Sequence, residues 1–319
     1  MCNANMELKE LNKVAKVAQK ESRPHQSVGE VLKSLLLLTK PTIMLLVVLS
    51  AAVALCLEGS VLHDPLQFAL ILFAVYLTGG AANALNQYFE RNVDAQMART
   101  KLRRPLPQGK LTPNQALGFI VIIATVGIGI FALAFNWLSA LITTGTILFY
   151  GFFYTLWLKP TTPQNIVIGG AAGAMAPIGV WAAITGNVAL EAYLLFAIVF
   201  FWTPPHFWAL AIFCKEDYLK VNYPMMPVVK GDDETMRQIL IYTFITIGVT
   251  VALAIVIESY VFGAVALGLG VLYVKKTLGA RRHRTKEAVR ALFGYSIVYL
   301  FGLFAALIAS STATHLLWS

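Results

Sequence analysis

Three oxygen-bearing side chains recur at four-residue intervals where a long apolar stretch of the sequence turns polar. They are Asn86, Glu90 and Asp94. Four residues advance an α-helix by about 6 Å and turn it by only about 40°, so the three side chains form one stripe along a helix face. Mg²⁺ prefers oxygen ligands and typically binds one or two carboxylates together with phosphate oxygens. The stripe therefore predicts a magnesium site at the mouth of a helix.

A group of basic residues follows the stripe. Arg99, Lys101, Arg103 and Arg104 supply donors that suit phosphate oxygens. Acids that hold a metal beside bases that hold an anion form the arrangement that a diphosphate leaving group needs. The alternative is an ion-pair network at a helix end, with bases that only anchor the chain at a membrane surface. Because Asn86 still lies within the apolar stretch, and polar groups at membrane depth usually serve a site, the whole set favours the functional interpretation.

A second polar segment follows another apolar stretch that contains two adjacent prolines. Pro204 and Pro205 predict a break or kink in that helix. His206 lies about 10 Å from the polar segment if the chain there is helical. A lone histidine is usually a hydrogen-bonded core residue, but its depth and the downstream Lys215 and Asp217 favour a functional role. The sequence leaves open whether His206 orients an acceptor, takes a proton or ligates iron.

Several residues at the ends of other apolar stretches allow two interpretations. Lys40 and Lys159 are either phosphate ligands or lysines that extend to the lipid headgroups. Tyr150 and Tyr154 either belong to an interfacial aromatic belt or cover a carbocation by cation–π attraction. Asn165 begins a further apolar stretch. These residues complete the candidate site.

The elements that must position these residues are long apolar stretches. The 319 residues are 58% hydrophobic and only 13% charged, whereas soluble domains are about a quarter charged. A membrane-spanning helix needs about 20 mostly apolar residues, and helices are the default because barrel strands are shorter and alternate. We therefore predict an all-α membrane protein with nine transmembrane helices. The expected spans are 36–57, 67–90, 114–134, 138–158, 165–185, 190–213, 238–257, a glycine-rich 260–275, and 291–310.

The distribution of basic residues predicts the orientation of these spans. No Lys or Arg occurs in the connections 58–66, 135–137, 186–189 and 258–259, while the alternate connections hold nearly all of them. Cytoplasmic loops carry the excess of Lys and Arg, so the N-terminus is expected inside and the C-terminus outside. The net charge of +9 therefore belongs to loops that bracket membrane spans. This pattern argues against a nucleic-acid partner.

The chain is expected to form one membrane domain with short tails. Residues 1–30 mix lysines and glutamates and lack the apolar core of a secretory signal, so we expect a polar cytosolic tail. Residues 31–310 form the transmembrane domain, and 311–319 form a short tail on the outer side. The sequence fits a bacterial cytoplasmic (inner) membrane. The three cysteines lie far apart and suggest neither a disulfide framework nor a zinc site.

Several motifs together carry a resemblance to a known family. The stretch 83–109 resembles the first signature of the UbiA prenyltransferase superfamily, and its details are similar to the heme-farnesylating branch. The stretches 38–42, 162–174, 203–211 and 215–228 are similar to that branch as well. Two details depart from it. One extra residue between Thr100 and Pro105 makes Arg103 and Arg104 compete for one role, and Pro160 stands where relatives often have Arg.

The resemblance implies a UbiA-type bundle of nine helices around a central cavity that opens near the cytoplasmic face. It implies Mg²⁺ as the cofactor and transfer of the farnesyl group of farnesyl diphosphate to a vinyl group of heme B, with addition of water, to give heme O. Candidate partners are the lipid bilayer and a heme A synthase or terminal oxidase. The residue patterns and the resemblance together give the candidate site. Its reacting residues are Asn86, Glu90, Asp94, His206, Lys215 and Asp217, the first three of them for the metal; the diphosphate residues are Lys40, Arg99, Lys101, Arg103, Arg104 and Lys159; and the acceptor or prenyl pocket residues are Tyr150, Tyr154, Asn165, His206 and Trp208.

Two alternatives to this function are open. A related UbiA transferase could act on a quinone precursor or another aromatic acceptor, although such relatives keep more aspartates in the second motif. A transporter would also have polar groups inside nine spans. Against a transporter, the polar residues cluster at one face of the membrane.

Overall fold

The fold is a bundle of long helices. The computed structural model describes residues 27–317, with side chains described through residue 311, and that part of the chain is largely helical. Most connections are short, but 95–112 and 214–230 are longer and contain short helices. The main helices are α1 (Val28–Leu38), α2 (Pro41–Glu58), α3 (Pro65–Asp94), α4 (Pro113–Phe135), α5 (Trp137–Thr161), α6 (Asn165–Thr185), α7 (Leu190–Phe213), α8 (Gly231–Val256), α9 (Tyr260–His283) and α10 (Lys286–Leu317).

The prediction of nine membrane-spanning helices is confirmed within the described residues. The helices α2 to α10 are long and apolar enough to cross a bilayer. Several of these helices are longer than the apolar stretches, because they continue into polar residues. For example, α9 ends at His283, well past the predicted end at 275. Likewise, α10 continues to Leu317, through most of the segment expected to be a tail. The change from apolar to polar side chains therefore predicts where the chain leaves the lipid, but it does not predict where the helix ends.

Local sequence signals explain where the helices begin. Proline occupies the first position of α2, α3 and α4, where its missing N–H costs no hydrogen bond and its fixed φ suits a helix. Asp64 caps α3 by accepting from the Gln67 N–H at 2.9 Å. Thr112 and Gln115 form a reciprocal capping box at the start of α4. These caps satisfy backbone donors that would otherwise be unpaired at the helix ends.

The helices form a closed ring. Consecutive helices pack side by side from α2 to α10, and α10 packs back against α2. In addition, α3 contacts α5, so the ends of these two helices lie close together. This arrangement brings the polar ends of helices that are distant in sequence toward one another. The central cavity and its cytoplasmic opening remain predictions.

Proline interrupts α6 but not α7. Pro204 and Pro205 were predicted to break or kink α7; the helix continues through both prolines, so a break does not occur. Neighbouring helices and side chains can satisfy the backbone groups that a proline frees inside a membrane. Conversely, α6 consists of two α-helical segments that are separated at Met175, just before Pro177. A proline clashes with the preceding turn, which accounts for the interruption.

A sharp turn before the first span was not foreseen. The expected span 36–57 contains the end of α1, a turn and the start of α2. Lys40 makes the turn with a left-handed backbone (φ 53°), followed directly by Pro41. The Gln87 side chain on α3 donates to the carbonyl oxygens of Leu38 at 2.9 Å and Leu37 at 3.2 Å. These bonds fix the turn against α3 and so determine where the Lys40 side chain starts.

Candidate active site

The polar stripe on α3 is buried. Asn86, Glu90 and Asp94 are only 2%, 3% and 2% exposed, and they lie on one helix as their spacing predicted. Two carboxylates held this far from solvent are stable as anions only when they have partners. The identity of those partners determines what the site can bind.

Cations from three separate parts of the chain surround the stripe. Arg104 forms an ion pair with Glu90, Nη1 to Oε2 at 3.3 Å, and a second with Asp94. Lys159, at the end of α5, forms an ion pair with Glu90. We call the three stripe residues and these bases the acid–base cluster; it is completed by Lys40, whose Nζ donates to Asn86 Oδ1 at 2.8 Å. The cluster therefore contains three cations, two carboxylates and an amide.

The structure places Arg103 and Arg104 in different surroundings. The short helix Ala98–Lys101 is followed by a turn in which the Arg104 N–H donates to the Thr100 carbonyl at 2.9 Å. This turn directs Arg104 into the cluster, where its side chain is 15% exposed, while Arg103 is exposed. Lys101 is exposed as well, so neither of these two residues belongs to the cluster.

The two polar segments, which follow α3 and α7, contact each other. The backbone N–H of Arg99 donates to Asp217 Oδ2 at 3.2 Å. The Nε of Arg99 is buried without a hydrogen-bond partner among the described residues. Lys215 points elsewhere: it bonds Asp232 at 2.8 Å, and both side chains are substantially exposed. The contact thus joins the polar ends of α3 and α7, and it includes Asp217 but not Lys215.

The winding of α5 aligns two polar residues with the stripe. Residues Phe149–Leu158 form a π-helix, a rare geometry that often occurs at functional sites. Within it, Thr155 Oγ1 accepts from Asn86 Nδ2 at 3.1 Å and donates to the Tyr150 carbonyl at 2.7 Å. Thr155 lies one turn before Lys159 and shares its face. That spacing was the only sequence signal for Thr155, which the sequence analysis missed.

Tyr150 and Tyr154 stack on each other beside the cluster. Their ring centroids are 5.1 Å apart with an interplanar angle of 10°, and Lys40 Nζ lies 6.0 Å from the Tyr150 centroid. Gly169 on α6 makes room for this stack, because a Cβ there would lie 2.2 Å from Tyr154 Cδ2. By contrast, a Cβ on Gly173, one turn later, would meet nothing within 4 Å. The aromatic pair therefore depends on a glycine from a different helix.

His206 lies in an aromatic group between α7 and α10. Its ring stacks on Trp202 at 4.4 Å and on Phe293 at 4.5 Å. Its Nδ1 is 2.8 Å from the Oγ of Ser296, a residue that the sequence analysis did not single out. His206 is 9% exposed, and its hydrogen bond and ring contacts among the described residues lead to α7 and α10 rather than to the acid–base cluster.

The other expected pocket residues are buried in the helix packing. Trp208 is fully buried and meets Tyr242 edge-on at 5.4 Å. Asn165 is fully buried and donates to the Thr162 carbonyl at 2.6 Å. Among the described residues, Trp208 Nε1 and Asn165 Oδ1 have no hydrogen-bond partner. Tyr223, also missed from sequence, brings its ring to 5.1 Å from Lys159 Nζ.

Comparison with known proteins identifies the family. A model of the UbiA prenyltransferase family matches residues 47–314, so the chain belongs to that family. The chain is 46% identical over 288 residues to the protoheme IX farnesyltransferase of Erythrobacter litoralis (strain HTCC2594), covering 88% of this chain and 93% of that protein. It is 44% identical over 281 residues to the protoheme IX farnesyltransferase of Rhodopseudomonas palustris (strain HaA2), covering 86% and 89%.

Solved structures confirm the fold. A structure of digeranylgeranylglyceryl phosphate synthase has a TM-score of 0.73 at 17% identity, covering 89% of this chain and 99% of that one. A UbiA homolog from Archaeoglobus fulgidus bound to GPP and Mg²⁺ has a TM-score of 0.65 at 18% identity, covering 86% and 99%. The chain is thus an integral, multi-pass membrane protein with the UbiA fold, as its motifs suggested.

Proposed function

We propose that this protein transfers the farnesyl group of farnesyl diphosphate to a vinyl group of heme B, with addition of water, to give heme O. The observation that carries the proposal is the acid–base cluster, in which buried carboxylates and cations lie together at the end of α3. Such a cluster suits a metal-bound diphosphate. The choice of acceptor rests on relatives of 46% and 44% identity, both called protoheme IX farnesyltransferase.

The cations of the cluster would bind the diphosphate. Arg104 offers a planar fork of donors, and Lys40 and Lys159 offer point charges. Burial and the nearby Arg104 guanidinium lower the pKa of Lys40 well below its usual value. An anionic diphosphate would counter this effect and favour the charged amine. As the C–O bond breaks, negative charge grows on the leaving group, and positioned donors stabilise that charge most.

The stripe residues fit a magnesium ion. Asn86, Glu90 and Asp94 present amide and carboxylate oxygens, the hard ligands that Mg²⁺ prefers, and phosphate oxygens would complete its coordination. No cluster of three or more His, Cys, Asp or Glu suited to a metal occurs within residues 27–317, so a purely protein-made metal cage is not expected. When bound, Mg²⁺ would withdraw charge from the departing diphosphate. The UbiA homolog that binds GPP and Mg²⁺ supports this assignment.

The remaining chemistry would take place against apolar walls. Departure of diphosphate leaves a farnesyl cation, and the stacked Tyr150 and Tyr154 could stabilise it through their ring faces. The vinyl group of heme B forms the new carbon–carbon bond, water adds its hydroxyl to the resulting cation, and a proton leaves. Exclusion of bulk water before that step limits loss of the farnesyl cation by hydrolysis.

The outer residues of the site would have supporting roles. Arg99 and Asp217 hold the two polar segments together, and a diphosphate could use the unpaired Arg99 Nε. The exposed Lys101 and Arg103 would attract the anionic substrate toward the site. Lys215, bonded to Asp232, supports the loop structure better than it supports a catalytic role.

The location follows from the charge distribution. We propose a bacterial cytoplasmic membrane, with residues 1–30 inside, the transmembrane domain 31–310, and 311–319 outside. The basic segments 91–110 and 275–290 support this orientation by the positive-inside rule. The cluster would then face the inner leaflet. The product would pass to an enzyme that uses heme O, such as a heme A synthase or a terminal oxidase.

Reconstitution of the full chain in liposomes tests the proposed reaction. With farnesyl diphosphate, heme B and Mg²⁺, mass spectrometry should detect heme O, and Glu90→Gln should form none above background. Replacing heme B with a hydroxybenzoate acceptor should give no prenylated product. Prenylation of that acceptor with heme B unchanged would assign the chain to a different member of the family, and inactivity toward both acceptors would overturn the proposal.

A further inference from the structure

The hydrogen bonds of Ser296 favour one tautomer of His206. The Ser296 hydroxyl donates its only hydrogen to the Phe293 carbonyl at 2.6 Å. The same oxygen lies 2.8 Å from His206 Nδ1. With the hydroxyl hydrogen on the Phe293 carbonyl, the Ser296 oxygen accepts from Nδ1, so this arrangement favours the tautomer that carries its hydrogen on Nδ1. In the neutral ring, Nε2 is then left with a free lone pair.

Among the described residues, no side chain forms a hydrogen bond with Nε2 of His206. Trp202 and Phe293 stack on the ring at interplanar angles of 17° and 23°, and Phe207 meets it at 86°. None of these three side chains can donate a hydrogen bond to Nε2 in these positions. His206 is 9% exposed, and its Nε2 is not among the fully buried side-chain atoms that lack a partner, so this ring edge keeps some exposure and a ligand can reach the lone pair.

The depth of His206 matches that of the acid–base cluster. Both α3 and α7 end on the side where Arg99 contacts Asp217. His206 lies seven residues before the end of α7 and Asn86 eight residues before the end of α3. At 1.5 Å per residue, both positions are about 10–12 Å from those ends. A flat acceptor bound at His206 would therefore lie at the level of the cluster.

We propose that His206 binds the acceptor by coordinating the heme iron through Nε2, and that Ser296 is its positioning residue. The new coordinate bond uses the Nε2 lone pair and needs no change in oxidation state. A histidine that ligates a metal typically donates its other N–H to a fixed acceptor, which is the role of Ser296. The stacked rings of Trp202 and Phe293 hold the imidazole so that only its edge is presented. This inference rests on the proposed function, since heme B is the proposed acceptor.

The test uses the full-length protein in detergent with heme B and no farnesyl diphosphate. Electron paramagnetic resonance and resonance Raman spectra should show a nitrogen-ligated heme in the wild type. His206→Ala should lose that ligand, and imidazole in the buffer should restore it, which would also show that the variant is folded. His63→Ala and His283→Ala, at exposed histidines, serve as matched controls and should keep the wild-type spectra. Wild-type spectra in His206→Ala would overturn the proposal.

Ser296 provides a second, independent readout. Ser296→Ala should shift the iron–histidine stretching frequency of the ferrous complex and weaken heme binding about 10–100-fold. Ser296→Thr keeps the hydroxyl and should restore both. An unchanged stretching frequency in Ser296→Ala would refute the positioning role. Heme O formation is measured separately: wild-type protein that ligates heme through His206 but forms no heme O would contradict the proposed function and leave the iron ligand in place.

Discussion

Arg103 and Arg104 are adjacent, equally charged and differently positioned, which makes them a matched pair for testing the acid–base cluster. Arg104→Gln removes the side chain that pairs with Glu90 and Asp94, whereas Arg103→Gln removes an exposed one. Both changes reduce the net charge equally. Any difference between the two variants therefore reports position rather than overall charge.

The burial of the partners sets the expected magnitude. Removing one member of a buried ion pair typically costs about 3–5 kcal/mol, because the other charge remains buried. Asp94 is 2% exposed, but Arg104 is 15% exposed and partly solvated, so we expect a loss of about 3 kcal/mol, at the lower end of that range. Arg103→Gln should stay within about 0.5 kcal/mol. For the reaction, loss of one positioned donor should lower kcat by about 10²–10³-fold.

Unfolding in detergent, followed by tryptophan fluorescence, measures stability, and heme O formation in liposomes measures activity. The double variant Asp94→Asn with Arg104→Gln separates the two effects. It removes the stranded charge, so it should recover most of the lost stability while remaining inactive. Equal effects of Arg103→Gln and Arg104→Gln on either property would refute the reasoning, and so would an active double variant.

Three further predictions concern the metal, the aromatic stack and the orientation. Glu90→Gln should abolish heme O formation while the protein stays in the membrane, and chelation of Mg²⁺ should stop the wild-type reaction reversibly; a chelator-resistant wild type would exclude the metal role. Gly169→Ala should displace the tyrosine stack, lower the free energy of unfolding by about 1–3 kcal/mol through overpacking, and slow turnover. Gly173→Ala, whose Cβ would meet nothing within 4 Å, should behave as wild type in unfolding and activity assays. A membrane-impermeant maleimide on intact spheroplasts should label a cysteine that replaces Asn187 but not one that replaces Lys110, and the opposite pattern would invert the proposed topology.

The sequence predicted the number of helices because hydropathy and length suffice for that purpose. Each span must satisfy its own backbone hydrogen bonds within the bilayer, so an apolar stretch of sufficient length has essentially one available structure. The helix ends were less accurate, as α9 illustrates, because a helix can continue past the lipid. The turn at Lys40 was missed because leucines of α1 continue directly into the apolar stretch of α2.

The stripe on α3 could also be predicted from the sequence, since it depends only on the spacing of Asn86, Glu90 and Asp94 along one helix. The ion-pair partners of the stripe could not be predicted in this way. A sequence without three-dimensional contacts cannot distinguish Arg103 from Arg104, because a turn of one residue more or less reverses which side chain faces inward. The predicted break at the prolines of α7 did not occur for a related reason, because packing decides whether a helix continues through a proline.

The sequence by itself determined the composition of the site: which acids, which bases, and on which side of the membrane they are expected to lie. Tertiary structure alone decided the contacts, bringing Lys40, Arg104 and Lys159 together on one stripe and Ser296 to His206. The physical reason is range. Helical periodicity and hydropathy act over a few residues, whereas a buried charge is neutralised by whichever partner the closed ring of helices brings within a few ångströms.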